Sequence, residues 1–370
     1  MIASILFHRR IPATKNYCVQ AYIHGYSVIM SKTQVTIPFF VPHSGCPHRC
    51  VFCNQWVSTG SKTLPDAIAV RTKIDAYHTK IPPSVIRIEA AFFGGSFTAI
   101  PFEKQEELLG AALAGKRRGK IHAIRLSTRP DCIDHARLDL LERYEVETVE
   151  LGAQSFSDTV LSASQRGHTT DDIFRAVELL RERKFNYVIQ LMPGLPLDTA
   201  DESLRSALTA VRLAPHGVRI YPTVVLEHTG LADMFREGRY TPLELHDAVE
   251  LCAAMYSIFL ESVIPVIRMG LHPLDAEGLA GILAGPYHPA FGFMVKSRFR
   301  RNQVEMAVEH YINSNPDKQH RKMIVELPAA GREEFIGLKK ENLSHLRSKF
   351  PHCDLQIRFT DAGGISVTRD

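Results

Sequence analysis

The chain has 370 residues, 45% hydrophobic and 23% charged, and its 44 Lys and Arg stand against 40 Asp and Glu for a formal charge of +4. That balance excludes a uniformly basic nucleic-acid binder, although a local patch remains open to phosphate. Seven cysteines are too sparse for a secreted disulfide scaffold, and no uninterrupted apolar stretch is long enough to cross a membrane.

Residues 1–29 mix charge and histidine without the apolar run of a signal peptide. They are expected to form an N-terminal extension, with Met30 as an alternative start. The expected compartment is the cytoplasm, where thiols stay reduced. Six β-rich runs then alternate with helical stretches: TIPFFV ahead of Pro42, VIRIEAAFF to Phe93, IHAIRLS to Ser127, ETVELGAQ to Gln154, NYVIQLM to Met192 and GVRIYP to Pro222. Several are nearly apolar throughout, which predicts strands covered on both faces. A helix is predicted over 101–114 with Pro101 at its first position. Over 171–183, Ile173, Phe174, Ala176, Val177, Leu179 and Leu180 form a helical stripe with Thr169 or Thr170 as its cap. Residues 201–213 repeat the pattern, and 241–261 predict another helix with Thr241 as cap. The alternation places the chain in the α/β class, as a partial (β/α)6 TIM-like barrel over 30–264 with right-handed crossovers. Ligand chemistry then belongs on the loops at the carboxyl ends of the strands. Past 264 the rhythm gives way to loops, a short helix over 302–311, and a strand, a helix and a strand over 322–360. A small C-terminal α+β unit on the substrate side is expected over 265–370.

The densest chemistry lies in SGCPHRCVFCNQW (44–56). Cys46, Cys50 and Cys53 fall within eight residues, whereas Cys18, Cys132, Cys252 and Cys353 are scattered. Three thiolates this close reach one site only from a loop, which Gly45 and Pro47 favour. Soft thiolates select an iron-sulfur cluster or zinc. Zinc wants a fourth protein ligand, for which His43 and His48 are at hand. A cube lacking that ligand keeps one iron open, with Phe52 to shield it from water.

Cys46-x3-Cys50-x2-Cys53, after the first strand of a βα series, resembles the signature of the radical S-adenosylmethionine superfamily. The resemblance implies that the three thiolates ligate three irons of a 4Fe-4S cluster and that S-adenosylmethionine chelates the fourth. One electron, from a donor such as flavodoxin or ferredoxin, then yields methionine and a 5′-deoxyadenosyl radical. TRPD (128–131), GAQS (152–155), RGHT (166–169), MPGLP (192–196) and the run from YPT at 221 narrow the resemblance. Over roughly residues 35–265 the chain resembles the radical domain of the catalytic subunit of Elongator, and more distantly oxygen-independent coproporphyrinogen oxidase. By this resemblance Gly94, Gly95 and Ser96 meet the amino group of S-adenosylmethionine, Gln154 and Gln190 its ribose, and Met192 its adenine. The family often carries Glu or Thr where Ser96 stands. Arg166 and His168 either join this site or brace its loop. The residues after 265 show no glycine-rich acyl-CoA loop of the acetyltransferase type that Elongator carries.

For the substrate, segment 284–301 offers Tyr287, His288, Lys296 and Arg298, with Phe291 and Phe293 to exclude water or fill the core. AGKRRGK (114–120) and SRFRR (297–301), with Lys318, Arg321 and Lys322, are candidate phosphate contacts. Three functions follow: a radical enzyme modifying RNA, a radical enzyme acting on a small metabolite or peptide, and a non-catalytic interaction protein that keeps the cluster as a staple.

Overall fold

A computed structural model describes residues 34–41, 46, 48–54, 63–271, 274, 276–315 and 321–369. The expected extension over 1–29, Met30, Cys18, His43, Gly45, Pro47 and Lys318 lie outside the described residues.

The main sheet contains β1 (Gln34–Val41), β2 (Arg87–Gly94), β3 (Ala123–Thr128), β4 (Val146–Gln154), β5 (Asn186–Leu191) and β6 (Gly217–Ile220). A short β7 (Val225–Leu226) lies outside it, and β8 (Val266–Met269) closes the series. The seven strands run in the order β1-β2-β3-β4-β5-β6-β8, every neighbouring pair parallel. They form the curled half-barrel that the βα rhythm predicts, with one strand more than expected. That strand lies beyond residue 264, so the sheet runs a few residues into the segment expected to form the C-terminal unit.

Side chains alternate across each strand. One parity carries Ile88, Ala90 and Phe92, Ile124 and Leu126, Val149 and Leu151, Ile189 and Leu191, and Val218 and Ile220, all buried in the core beneath the helices. The other parity faces the hollow of the sheet and is charged. Glu89 meets Arg125 at 3.0 Å, Arg125 meets Glu150 at 2.5 Å, and Glu150 meets Arg219 at 2.8 Å, which makes one buried row across β2, β3, β4 and β6. The strands are covered on both faces as expected, but the inner face is covered around charged pairs as well as apolar groups. Burial alone raises the Glu89 carboxyl, but Arg125 and Arg87 outweigh it and hold it below the usual carboxylate range.

The outer helices follow the sequence closely where their stripe is clean. Thr169 caps the helix Thr170–Glu182, and Asp172 returns the bond to the Thr169 backbone, closing a capping box. The helix expected over 241–261 starts later, at Leu245, with Glu244 rather than Thr241 at its cap position. The helices Ala67–His78, His135–Arg143, Asp158–Ala163 and Gly230–Arg236 were not anticipated.

After β9 (Ile282–Ala284), which pairs antiparallel with β7, a single helix spans Phe291–Asn313. The basic stretch SRFRR, read above as loop, lies inside it. Its first half gives Phe291, Val295 and Phe299 to the barrel core. Its second half gives Val304 and Val308 to a separate core with Met323, Val325, Leu327, Phe335 and Leu346. That second core belongs to a sheet of β10 (Arg321–Pro328) between parallel β11 (Cys353–Thr360) and antiparallel β12 (Ser366–Arg369). No helix among the described residues is long and apolar enough to cross a membrane.

Candidate active site

A cavity of about 1210 Å³ opens at the carboxyl ends of the parallel strands. Cys46, Cys50 and Cys53 form one wall. Gly94, Gly95 and Ser96 come from the end of β2, Gln154 from the end of β4, Gln190 from β5, and Met192 from just beyond it. Every residue that the resemblance assigns to a cofactor therefore lines one space. The segment after β6, including His228, Asp233, Glu237 and Arg239, lines the same space beside the cysteine loop.

Backbone bonds to two other loops hold the cysteine loop. Val51 donates its N–H to Ser164 O at 3.1 Å and accepts from Leu231 N–H at 2.7 Å. The Asn54 side chain donates to Glu227 O at 2.8 Å. Gly95 N–H reaches Val41 O at 2.6 Å, fixing the glycine turn to the end of β1. Ser96 Oγ lies 3.3 Å from Cys46 Sγ. His48 packs over Gly167, where an added Cβ would stand 2.3 Å from the ring and where φ is +76°. That placement explains the glycine of RGHT.

Behind Cys50 sits a compact polar cluster. Arg166 Nη1 donates to Cys50 Sγ at 3.2 Å and Nη2 to Gly152 O at 2.7 Å. Gly152 admits the guanidinium, since a Cβ there would lie 2.7 Å from Nη2. Arg129, fully buried, donates to Arg166 O at 2.5 Å and pairs with Asp131 at 2.9 Å. His168 bonds Ala153 O through Nε2 at 3.2 Å. Burial, then Arg166 and Arg129, push its pKa down to about 3, so the ring is neutral and Nε2 is the donor. Gln154 holds a left-handed backbone, φ +71°, and its Oε1 accepts from Gln190 Nε2 at 3.1 Å. The two glutamines thus form a pair on the cavity wall. His168 braces this wall, while Arg166 both braces it and lines the cavity, touching Cys50.

A cluster and a zinc ion make different demands on the donor set. Among the described residues no group of three His, Cys, Asp or Glu side chains converges closely enough for a single ion. Three thiols along one cavity wall suit a multi-iron cube instead, whose corners keep its ligands apart. His48 is committed to Gly167, and His43 lies outside the described residues.

The four expected substrate contacts do not line this cavity. Tyr287 OH accepts from Leu274 N–H, and His288 Nδ1 accepts from Ala290 N–H ahead of the long helix. Lys296 faces Glu334, and Arg298 pairs with Glu250. The helix carrying the last two is packed between the barrel core and the C-terminal core. Phe291 is core, as one of its two expected roles required. Of AGKRRGK, Lys116 pairs with Glu145 and both Arg118 and Lys120 with Asp75, so much of its charge is neutralised locally. Cys132 is buried beside the cavity without lining it, and burial, then Asp131, raise its thiol to about 11.

Sequence reasoning missed Glu150 and Tyr221, which lie on the cavity floor. Tyr221 OH accepts from Arg219 Nη1 at 2.8 Å. A signal existed: four of the apolar runs carry isolated charges, among them Glu89, Arg125, Glu150 and Arg219, whose pairing isolated strands hide.

The family models agree with this geometry. The radical SAM superfamily model matches residues 40–207, and the radical SAM C-terminal domain model matches residues 215–301. The tRNA uridine(34) acetyltransferase of Dehalococcoides mccartyi is 27% identical over 230 residues, 53% of this chain and 50% of its own length. Elongator complex protein 3 of Homo sapiens is 30% identical over 262 residues, 59% of this chain and 48% of its own. The chain therefore spans about half the length of these two relatives. Among solved structures, the Elp3 of Methanocaldococcus infernus superposes with a TM-score of 0.58 at 20% identity, covering 79% of this chain and 71% of that one. That likeness is one of fold.

Proposed function

The chain belongs to the radical SAM superfamily and is a radical SAM enzyme, and on that premise we propose that it modifies a nucleotide of RNA. Its cofactors are a 4Fe-4S cluster and S-adenosylmethionine. We assign the cluster to Cys46, Cys50 and Cys53, and S-adenosylmethionine to the wall of Gly94, Gly95, Ser96, Gln154, Gln190 and Met192. When bound and reduced by one electron, the pair supplies a 5′-deoxyadenosyl radical, so a reductant is required. The half-barrel orients the cofactors and keeps the reacting centre at the strand ends.

The observation that carries the RNA reading is the likeness to tRNA uridine(34) acetyltransferase across the matched residues. The form of the cavity supports it. Beyond the S-adenosylmethionine wall the space continues to His228, Asp233, Glu237 and Arg239, polar groups suited to a base or ribose edge. Arg49 stands exposed on the cysteine loop at the cavity wall, and we assign it to a phosphate. No acetyl transfer is inferred, because the matched models are those of radical chemistry.

The test is anaerobic incubation of loaded, reduced enzyme and S-adenosylmethionine with small-RNA, protein and metabolite fractions of a cell extract. Release of 5′-deoxyadenosine stimulated by small RNA is the expected result. Stimulation by the metabolite or protein fraction alone would replace RNA with a small molecule or peptide. RNA binding should weaken with added salt, and Arg49→Ala should lower the salt slope by about 1.

A further inference from the structure

We propose that Arg166, backed by the buried cation of Arg129, sets the reduction potential of the iron-sulfur centre through its hydrogen bond to Cys50. The inference rests on the cluster that the superfamily carries and is independent of the RNA reading. Its basis is the charge behind one cluster ligand. Arg166 spans Cys50 Sγ at 3.2 Å and Gly152 O at 2.7 Å, so both ends of the guanidinium are fixed. Its Nε is buried with no partner among the described residues, as is Nη1 of Arg129. The carboxylate at hand, Asp131, is paired to Arg129 and partly exposed, and the Arg166 side chain bonds Cys50 and Gly152 O instead. His168, packed in the same cluster, is neutral. Around Cys50 two largely buried guanidiniums therefore stand against one ion-paired carboxylate, a local excess of positive charge at the cavity wall.

A protein tunes such a centre through hydrogen bonds to the sulfurs, nearby charge and burial. Reduction adds one negative charge that the thiolates and sulfides share. A fixed N–H···S bond and an uncompensated buried cation both stabilise the reduced form, so both raise the potential. The electron-accepting site would then be eased toward reduction by a residue that is not itself a ligand. Arg166 is accordingly a positioning and tuning residue. Its second bond, to Gly152 O, ties that role to the strand end from which Gln154 projects.

The experiment is an anaerobic redox titration of the reconstituted full chain, followed by the electron paramagnetic resonance of the reduced cluster. The variants are Arg166→Met and Arg166→Lys, with iron and sulfide content measured on each. At a fixed poise, Arg166→Met should lower the reduced-to-oxidised ratio about tenfold, a fall of about 59 mV for one electron. Arg166→Lys keeps the charge and loses the fork, so its midpoint should fall between those of Arg166→Met and the wild type. In the wild type, the Fe–S(Cys) stretching band should shift on transfer to D2O, and the shift should shrink in both variants. A fully loaded Arg166→Met protein with an unchanged midpoint would overturn the proposal. If that variant holds no iron, an Arg166→Lys midpoint and deuterium shift equal to the wild type would overturn it instead. Wild-type protein that takes up no iron would remove the cluster premise itself, whereas failure of RNA to stimulate turnover would leave these midpoints untouched.

Discussion

Replacing Glu150 with Gln should destabilise the protein more than any exposed ion-pair substitution. Glu150 lies 2.5 Å from Arg125 and 2.8 Å from Arg219, with its side chain only 4% exposed. The amide keeps the shape and removes the charge. Two guanidiniums then face a neutral group, and Arg219 keeps only Tyr221 OH and the Phe93 ring. Removing one partner of a buried pair costs about 3–5 kcal/mol, because the partner's charge stays buried. Arg125 retains Glu89 at 3.0 Å and Gln still offers one acceptor oxygen, so the lower end applies, about 3 kcal/mol. With a urea slope of about 3 kcal/mol/M, the unfolding midpoint should fall by about 1 M. Circular dichroism of the urea transition measures this. Adding Arg219→Met to the Gln variant should cost less than the sum of the two single changes, since the orphaned cation is removed. A midpoint for Glu150→Gln within about 0.2 M of the wild type would show that the row is not a coherent buried network.

Three further outcomes are expected. Changing Cys46, Cys50 or Cys53 to Ser should abolish the cluster absorption of a chain that otherwise binds about four irons, while Cys132→Ser, which lies off the cavity wall, should keep it. Gly167→Ala forces a Cβ against the His48 ring at a left-handed φ, and should cost about 1–2 kcal/mol and lower iron retention, read by thermal unfolding and iron assay. Two groups set the pH response. The His168 resonances should show no inflection between pH 5 and 8, because the ring titrates near about 3. Glu89, depressed in the fold, contributes stability above its unfolded value near 4.5 and loses it as pH falls through the lower folded value, so Glu89→Gln should flatten the acid-unfolding curve below 4.5.

The cluster wall was legible because its chemistry is local: three thiols within eight residues, and glycines at strand ends that meet the same space through the βα rhythm. The buried row was not, because each strand contributes one link, and pairing across four strands is invisible within any one of them. The helix Phe291–Asn313 was shortened in the sequence reading for a different reason. It is packed by the barrel on one side and the C-terminal core on another, so its apolar residues change face along its length and no single stripe survives. Its arginines then looked like a solvated loop, although Arg298 and Arg301 both reach Glu250. The edge strand Ser366–Arg369 is too short to carry a period.

The bond from Leu231 N–H to Val51 O joins two things that the sequence separates by 180 residues. Val51 follows Cys50 directly, and Leu231 stands in the first turn of the helix Gly230–Arg236, from which Gly230, Asp233 and Met234 line the cavity. That helix cannot shift by a hydrogen-bond length without pulling on the peptide beside a cluster ligand. A molecule docking against Asp233 or Met234 therefore loads the cysteine loop mechanically, and whatever stiffens the loop stiffens the dock in equal free-energy measure. The cysteine loop and the helix that carries Asp233 and Met234 are two ends of one strut.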